Sequence, residues 1–346
     1  MKTVTIHAAK DIRIESVPPA GPASGQVVVA IEAGGICGSD LHYYNHGGFG
    51  AVKLRHPMVL GHEVAGRIVA VGDGVAGLSI GDRVAVNPAV PCNACAYCLA
   101  GQQNYCIDMR FYGSAMRMPH VDGAFRQELV AEAGQCVKLG DGISSSAGAF
   151  AEPLAVTLHA VARAGSLLGR RVLITGSGPI GALCAVAARA HGAREIVVTD
   201  VLDAPLAYAA AVAADRTVNV AAHPEQLQDF AGGKGHFDVM FEASGNGRAL
   251  ATGVEVLRPR GVVVQLGLGG EAALPQSVIV GKEIELRGSF RFVDEFALAV
   301  DMINRRRVNL EPLLSATFGI DDAVAAFELA SDRSRSMKVQ LAFQPG

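Results

Sequence analysis

The sequence predicts an α/β protein of two domains: a β-rich domain that holds metal, and a second domain on a doubly wound parallel sheet. Four cysteines, Cys92, Cys95, Cys98 and Cys106, fall within 15 residues of a chain that has only seven. Up to about residue 150 the chain reads as strands and turns, and from about Pro153 short apolar runs alternate with alanine-rich stretches. The length, 346 residues, exceeds what one ordinary core accommodates, so two domains are expected.

Composition narrows the class. Half the residues are hydrophobic, 41 are glycine and 18% are charged, which suits a buried α/β sheet with many tight turns. The mean hydropathy is +0.30. A net charge of −3 and a pI near 6.4 give no electrostatic reason to expect nucleic acid or a membrane surface as partner. Arg305, Arg306 and Arg307 form the only basic run, read as a solvated helix end. No apolar span of about 20 residues suggests a transmembrane helix, and Met1–Lys10 lacks the apolar core of a signal peptide. Cysteines without secretory context point to metal rather than disulfides. The expected compartment is therefore the cytoplasm. Cys136 and Cys184, each among apolar neighbours, read as small core fillers.

In the first domain, Val27–Ile31 and Val64–Val71 read as buried strands, with turn signals at Gly72-Asp73-Gly74 and Gly81-Asp82. From about Pro88 to Tyr112 the chain has few aliphatics. A loop of that length is uncommon unless something other than a core holds it.

In the second domain, Arg171–Thr175, Glu195–Thr199, Phe237–Phe241 and Gly261–Leu266 are short apolar runs. Helical stretches, for example Gly178–Ala190 and Asp203–Ala214, separate some of them. Alternating strands and helices imply βαβ units and a parallel sheet covered on both faces. After about Gly288 come helices over Val293–Asn304 and Asp321–Ala330 and a strand over Met337–Phe343, which are expected to return to the first domain. The expected division is 1–152 with 289–346, and 153–288.

Three motifs carry chemistry. Cys92-x2-Cys95-x2-Cys98-x7-Cys106 lets one loop close all four positions around a structural zinc. A nucleic-acid zinc module is disfavoured, because the window holds no Lys or Arg. Cys37 and the pair His62-Glu63 lie beside Gly34-Gly35 and Gly61. Such a mixed set suits a catalytic zinc that keeps one position open. Glu152, before Pro153 at the domain junction, either sits at a helix N-terminus, where a carboxylate is favoured anyway, or faces that metal.

The third motif, Gly176-x-Gly178-Pro179-Ile180-Gly181, follows an expected strand, precedes an expected helix and leads to Asp200 at the end of the next strand. This is a Rossmann dinucleotide turn: the glycines admit pyrophosphate to the helix N-terminus, and an acid about 20 residues on grips the adenosine ribose. No Lys or Arg follows Asp200 before Arg216, so NAD is expected in preference to NADP.

The order Cys37, Gly61-His62-Glu63, four-cysteine lobe, Glu152-Pro153 and Rossmann half resembles the zinc-containing medium-chain dehydrogenases over essentially the whole chain. Cys37–Tyr43 and Ala151–Leu154 resemble the polyol (sorbitol) dehydrogenase branch. That resemblance implies a GroES-like catalytic domain and two Zn2+ per chain. It implies a catalytic zinc held by Cys37, His62 and Glu63 with Glu152 at or near it, and a homo-oligomer, dimer or tetramer. Gly34–Tyr44, Asp108–Met116 with Pro119–Gly123, and Gly281–Glu283 through Gly288–Phe292 resemble the L-idonate 5-dehydrogenase group of that branch. Ala124 and Pro205 stand where that group is expected to have Gly and usually Arg; Pro205 removes a residue that could touch the adenosine.

The expected reaction is oxidation of a secondary hydroxyl of a small sugar acid or polyol, with L-idonate to 5-keto-D-gluconate favoured over sorbitol, xylitol or L-threonine. Ser39 and His42 are candidates to relay the released proton, although a solvated His42 is an equal reading. Tyr43, Arg110, Phe111, His120, Glu152 and Arg291 are candidates to line the substrate pocket. A guanidinium reads a carboxylate best, so Arg110 or Arg291 would select a sugar acid unless each is a solvated surface charge. The rival from another class is a non-catalytic nucleotide-binding scaffold, against which an open Cys/His/Glu set argues.

Overall fold

The architecture was taken from a computed structural model, which describes residues 1–343. Two sheets organise the chain. The first has seven strands, in the order Cys136–Lys138, Arg83–Val86, Glu63–Val71, Gln26–Gly35, Lys338–Ala342 and Leu314–Gly319, with Glu128–Glu132 also paired to Gln26–Gly35. Its pairs are antiparallel except the last, where Leu314–Gly319 runs parallel to Lys338–Ala342. Alternation of valine and isoleucine packs one core against this sheet, including Val27, Val29, Ile31, Ile68 and Val84.

The second sheet is six-stranded and wholly parallel, in the order Arg216–Asn219, Glu195–Asp200, Arg171–Thr175, Phe237–Glu242, Leu257–Gln265 and Glu285–Gly288. The strand order reverses between Arg171–Thr175 and Phe237–Glu242. At such a switch point ligands bind outside the carboxyl ends of the strands. The central strands are apolar on both faces because helices cover both. Phe237–Glu242 is buried at all six positions.

Most of the expected elements lie where the periodicity placed them. The edge strands Arg216–Asn219 and Glu285–Gly288 were not anticipated. Each has only four residues, of which Arg216–Asn219 buries Val218 alone and Glu285–Gly288 buries none, so neither shows an apolar run. The helix Ala151–Ala164 was expected only as one of the two readings of Glu152, which lies in its first turn. It packs against Pro179–Ala190 on one side and Glu295–Asn304 on the other, joining the two sheets through a single apolar cluster. Arg305–Arg307 are exposed just past the Glu295–Asn304 helix, and Cys136 and Cys184 are buried.

Candidate active site

Cys37 ends an irregular step after strand Gln26–Gly35 and caps the helix Gly38–His46 with extended backbone, φ −92° and ψ 158°. His62 and Glu63 lie where the chain enters strand Glu63–Val71. The register sets Gly35 opposite Glu63 and Gln340 opposite Gly35, so Glu63 crosses directly over a glycine. A Cβ at Gly35 would lie 2.2 Å from Glu63 Oε2, and one at Gly61 2.1 Å from the Phe125 ring. Both glycines therefore make room. The result is one compact group: ligand atoms of Cys37, His62 and Glu63 all lie within 4.8 Å of one another.

Asp40, fully buried, joins the two loops that supply this group. Its Oδ2 accepts from the Cys37 backbone N–H at 3.0 Å, and its Oδ1 accepts from the Gly61 N–H at 3.2 Å. Lys338 enters from the C-terminal strand. It is 3% exposed, and its ammonium donates to both oxygens of Glu63, at 2.8 and 2.5 Å, and to the Ile36 carbonyl at 3.2 Å. Neither residue was found by sequence reasoning. Asp40 sits three residues after Cys37, a capping spacing that could have revealed it; Lys338 offered no local signal.

Glu152 lies in the first turn of Ala151–Ala164 and is 6% exposed, beyond the compact three but within electrostatic reach of them. Burial pushes its carboxyl up to about 8, with His62 lowering and Glu63 and Cys37 raising it further along. Burial likewise pushes the Cys37 thiol up to about 12, against the ammonium of Lys338. Buried acids held up in this way form a site short of positive charge, and the buried His62, whose Nδ1 lies 3.9 Å from Asp40 Oδ1, shares that cluster. A divalent cation fits it. Zinc deprotonates a coordinating thiol outright, and a Cys/His/carboxylate set is a recognised catalytic donor set.

The second group is Cys92, Cys95, Cys98 and Cys106, whose sulfurs also lie within 4.8 Å of one another. The Cys92 backbone N–H donates to Cys106 Sγ at 3.2 Å and that of Asp108 donates at 3.4 Å. Backbone N–H groups of Cys98 and Ile107 draw the Cys95 thiol down to about 6. N–H groups aimed at sulfur stabilise thiolates, as an S4 zinc site requires.

In the glycine turn, Gly176 adopts φ +87° against Ser244, and a Cβ at Gly181 would lie 1.8 Å from the Gly176 carbonyl oxygen. Gly178 instead faces open space and precedes the helix Pro179–Ala190, whose start has no side-chain cap. The uncapped N–H groups there can take an anion. Asp200 ends its strand nearby and accepts from the Ser177 N–H at 2.7 Å. Arg333 also reaches it, at 2.6 Å. The stretch after Asp200 that lacks a base therefore does not describe its surroundings in space.

The pocket candidates separate. Arg291 lies 4.6 Å from the Phe111 ring centroid and 4.9 Å from that of Phe290, and lines a cavity of about 350 Å3 with Phe111, Ser114 and Met116. Burial lowers its pKa, with the Glu152 carboxylate pulling the other way. The Phe111 ring in turn lies 5.5 Å from that of His62. Arg110 is exposed and does not line this cavity. His120 is engaged elsewhere: Nε2 accepts from the Arg55 N–H, Nδ1 bonds the Arg117 carbonyl, and the ring stacks on His56 at 4.0 Å. Tyr43 is 1% exposed, with its hydroxyl accepting from the Ala115 N–H at 2.9 Å. Ser39 lies beside the Cys37 thiol and favours its ionised form. His42 is exposed one turn on, 5.5 Å from the Phe49 ring.

Comparison with known proteins agrees with this geometry. Residues 23–141 match the alcohol dehydrogenase GroES-like domain, and residues 179–305 match the zinc-binding dehydrogenase family. The chain is 45% identical to L-idonate 5-dehydrogenase (NAD(P)(+)) of Escherichia coli K12 over 317 residues, 91% of each protein. It is 34% identical to sorbitol dehydrogenase of Gallus gallus, covering 99% of this chain and 96% of that one. The crystal structure of the Escherichia coli L-idonate 5-dehydrogenase superposes with a TM-score of 0.93, covering 99% of this chain and 98% of that one at 42% identity. The chain thus belongs to the zinc-containing medium-chain dehydrogenases, within their polyol dehydrogenase branch.

Proposed function

We propose that this protein oxidises a secondary hydroxyl of a sugar acid or polyol with NAD, and that L-idonate to 5-keto-D-gluconate is the reaction its site fits best. In this reading residues 1–152 and 289–346 form the catalytic domain and 153–288 the cofactor domain. Cys37, His62 and Glu63 hold the catalytic zinc with Glu152 beside it, and the four-cysteine lobe holds a structural one. Gly176, Gly178, Pro179, Ile180 and Gly181 take the pyrophosphate, and Asp200 the adenosine ribose. The protein acts as a cytoplasmic homo-oligomer, dimer or tetramer.

When bound, zinc supplies the Lewis acidity that lowers the pKa of the substrate hydroxyl, and the nicotinamide accepts the hydride. Oxidation then yields the ketone, one hydride and one proton. Glu152 orients the reacting hydroxyl from the first turn of its helix. Lys338 offsets the charge of Glu63, and a divalent cation held by Cys37, His62 and Glu63 would offset the thiolate and favour the ionised form of Glu152. Ser39, beside Cys37, and the exposed His42 one turn further on relay the released proton to solvent in this reading.

The observation that carries the substrate choice is Arg291, held between Phe111 and Phe290 beside the site. A sugar acid brings a carboxylate that needs a cation at its far end, away from the buried acids Glu63 and Glu152. Arg291 can do so bidentately; Arg110, outside the cavity, is set aside. Losing such a pair costs on the order of 30- to 1,000-fold in kcat/KM. Arg291→Ala should lose idonate turnover by that factor and spare sorbitol. Equal losses on both substrates, or equal wild-type turnover of both, would leave a general polyol dehydrogenase.

A further inference from the structure

Asp200 already has its full complement of hydrogen bonds. Its Oδ1 accepts from the backbone N–H groups of Val201 and Leu202, at 2.7 and 3.2 Å. Its Oδ2 accepts from the Ser177 N–H at 2.7 Å and from Arg333 Nη2 at 2.6 Å. An ionised carboxylate offers about four acceptor positions, and all are used. Three of these donors are backbone groups of the turns around Asp200. Arg333 alone is a side chain from elsewhere, since it follows helix Ala323–Ser331 and precedes the strand Lys338–Ala342 of the other sheet. A ribose hydroxyl that donates to Asp200 must therefore displace Arg333.

Where Arg333 would go is visible in the same place. Its side chain is 51% exposed, against 3% for Asp200. It borders a cavity of about 940 Å3 that Leu202, Ser334 and Arg335 also line. Two acids share this cavity, and both are engaged. Glu328 bonds Lys10 and the Tyr44 hydroxyl, and Asp332 accepts from the Ser334 backbone and hydroxyl. The cations facing the opening are thus the guanidinium groups of Arg333 and Arg335.

We propose that Arg333 is a cofactor-specificity residue that admits NADP by binding its ribose 2′-phosphate. A 2′-phosphate brings acceptors and negative charge to a point where Asp200 alone would repel it. The guanidinium beside that carboxylate offsets its charge and offers a planar fork matched to phosphate oxygens. With NAD, the 2′-hydroxyl replaces Arg333 on Asp200. With NADP, Arg333 turns from Asp200 to the phosphate. This deepens the proposed function and rests on its reading of Asp200 as the ribose-binding acid.

The test is direct binding of NADH and NADPH to the zinc-loaded protein, followed by nicotinamide fluorescence. No substrate is added, so the outcome is independent of the aldonate assignment. Wild type should bind both. Arg333→Ala should weaken NADPH by about 10- to 100-fold, the size of one charge-assisted contact, and leave NADH unchanged or tighter; Arg333→Lys should restore part of the loss. Failure of wild type to bind NADPH, equal weakening of both dinucleotides by Arg333→Ala, or no change in either overturns the proposal. Asp200→Ala separates the two layers. If it weakens NADH while Arg333→Ala leaves NADPH untouched, only the role of Arg333 falls. If it affects neither dinucleotide, the ribose reading falls with it.

Discussion

Lys338 places its ammonium 2.5 and 2.8 Å from the two oxygens of Glu63, and the two side chains are 3% and 1% exposed. A buried pair of this kind is weak evidence for stability in itself, but removing one partner leaves a buried charge uncompensated. The pair also sits at the site where a divalent cation would add a second source of positive charge.

Lys338→Met should therefore destabilise the zinc-free protein by about 3–5 kcal/mol and the zinc-loaded protein by clearly less. Denaturant melts of chelated and zinc-loaded samples measure the difference. Equal losses in both forms would show that Lys338 and the metal do not act on the same charge.

Gly35→Ala puts a Cβ 2.2 Å from Glu63 Oε2, whereas a Cβ at Gly21 meets nothing within 4 Å. The first substitution should displace the Glu63 carboxylate and lower zinc content and activity at that site. Gly21→Ala should do neither. Metal analysis of the two purified variants decides it, and retention of full zinc by Gly35→Ala would exclude Glu63 from the ligand set.

The four-cysteine lobe should be structural. Cys95→Ser should reduce zinc from two per chain to one and lower the melting temperature and yield, because binding energy at such a site is folding energy. The folded fraction should keep its substrate preference. A variant that loses one zinc yet melts like wild type would refute the assignment.

Asp200→Ala should raise the KM for NAD by roughly 10- to 100-fold, the cost of a hydrogen bond to a charged group. NADP should suffer far less, because Arg333 remains. Steady-state kinetics with both cofactors report the ratio. Equal losses would mean that Asp200 matters only for holding the backbone of Ser177, Val201 and Leu202.

Sequence reasoning reached furthest where function is local. Four cysteines in one loop, a glycine turn between a strand and a helix, and His62 next to Glu63 each bring their groups together within a few residues. The apolar runs of the parallel sheet were legible because burial on both faces leaves no polar alternation to obscure them. Short edge strands, with one buried residue or none, left no such trace. Arg110 and Arg291 looked equivalent, yet the turn at Phe290–Phe292 sends only Arg291 into the cavity wall. His120 looked polar and available, yet backbone groups occupy both of its ring nitrogens.

The sequence by itself determined the two clusters of candidate metal ligands, the glycine turn between strand and helix and the succession of a β-rich part by βαβ units, since each depends on spacing along a short stretch of chain. Only the tertiary structure decided the charge balance. Lys338 meets Glu63 across 275 residues, Arg333 meets Asp200 across 133, and Asp40 links two ligand loops 21 residues apart. Coulombic and hydrogen-bond energies depend on separation in space, and spacing in sequence carries almost no record of which distant cation the fold will deliver to a buried carboxylate.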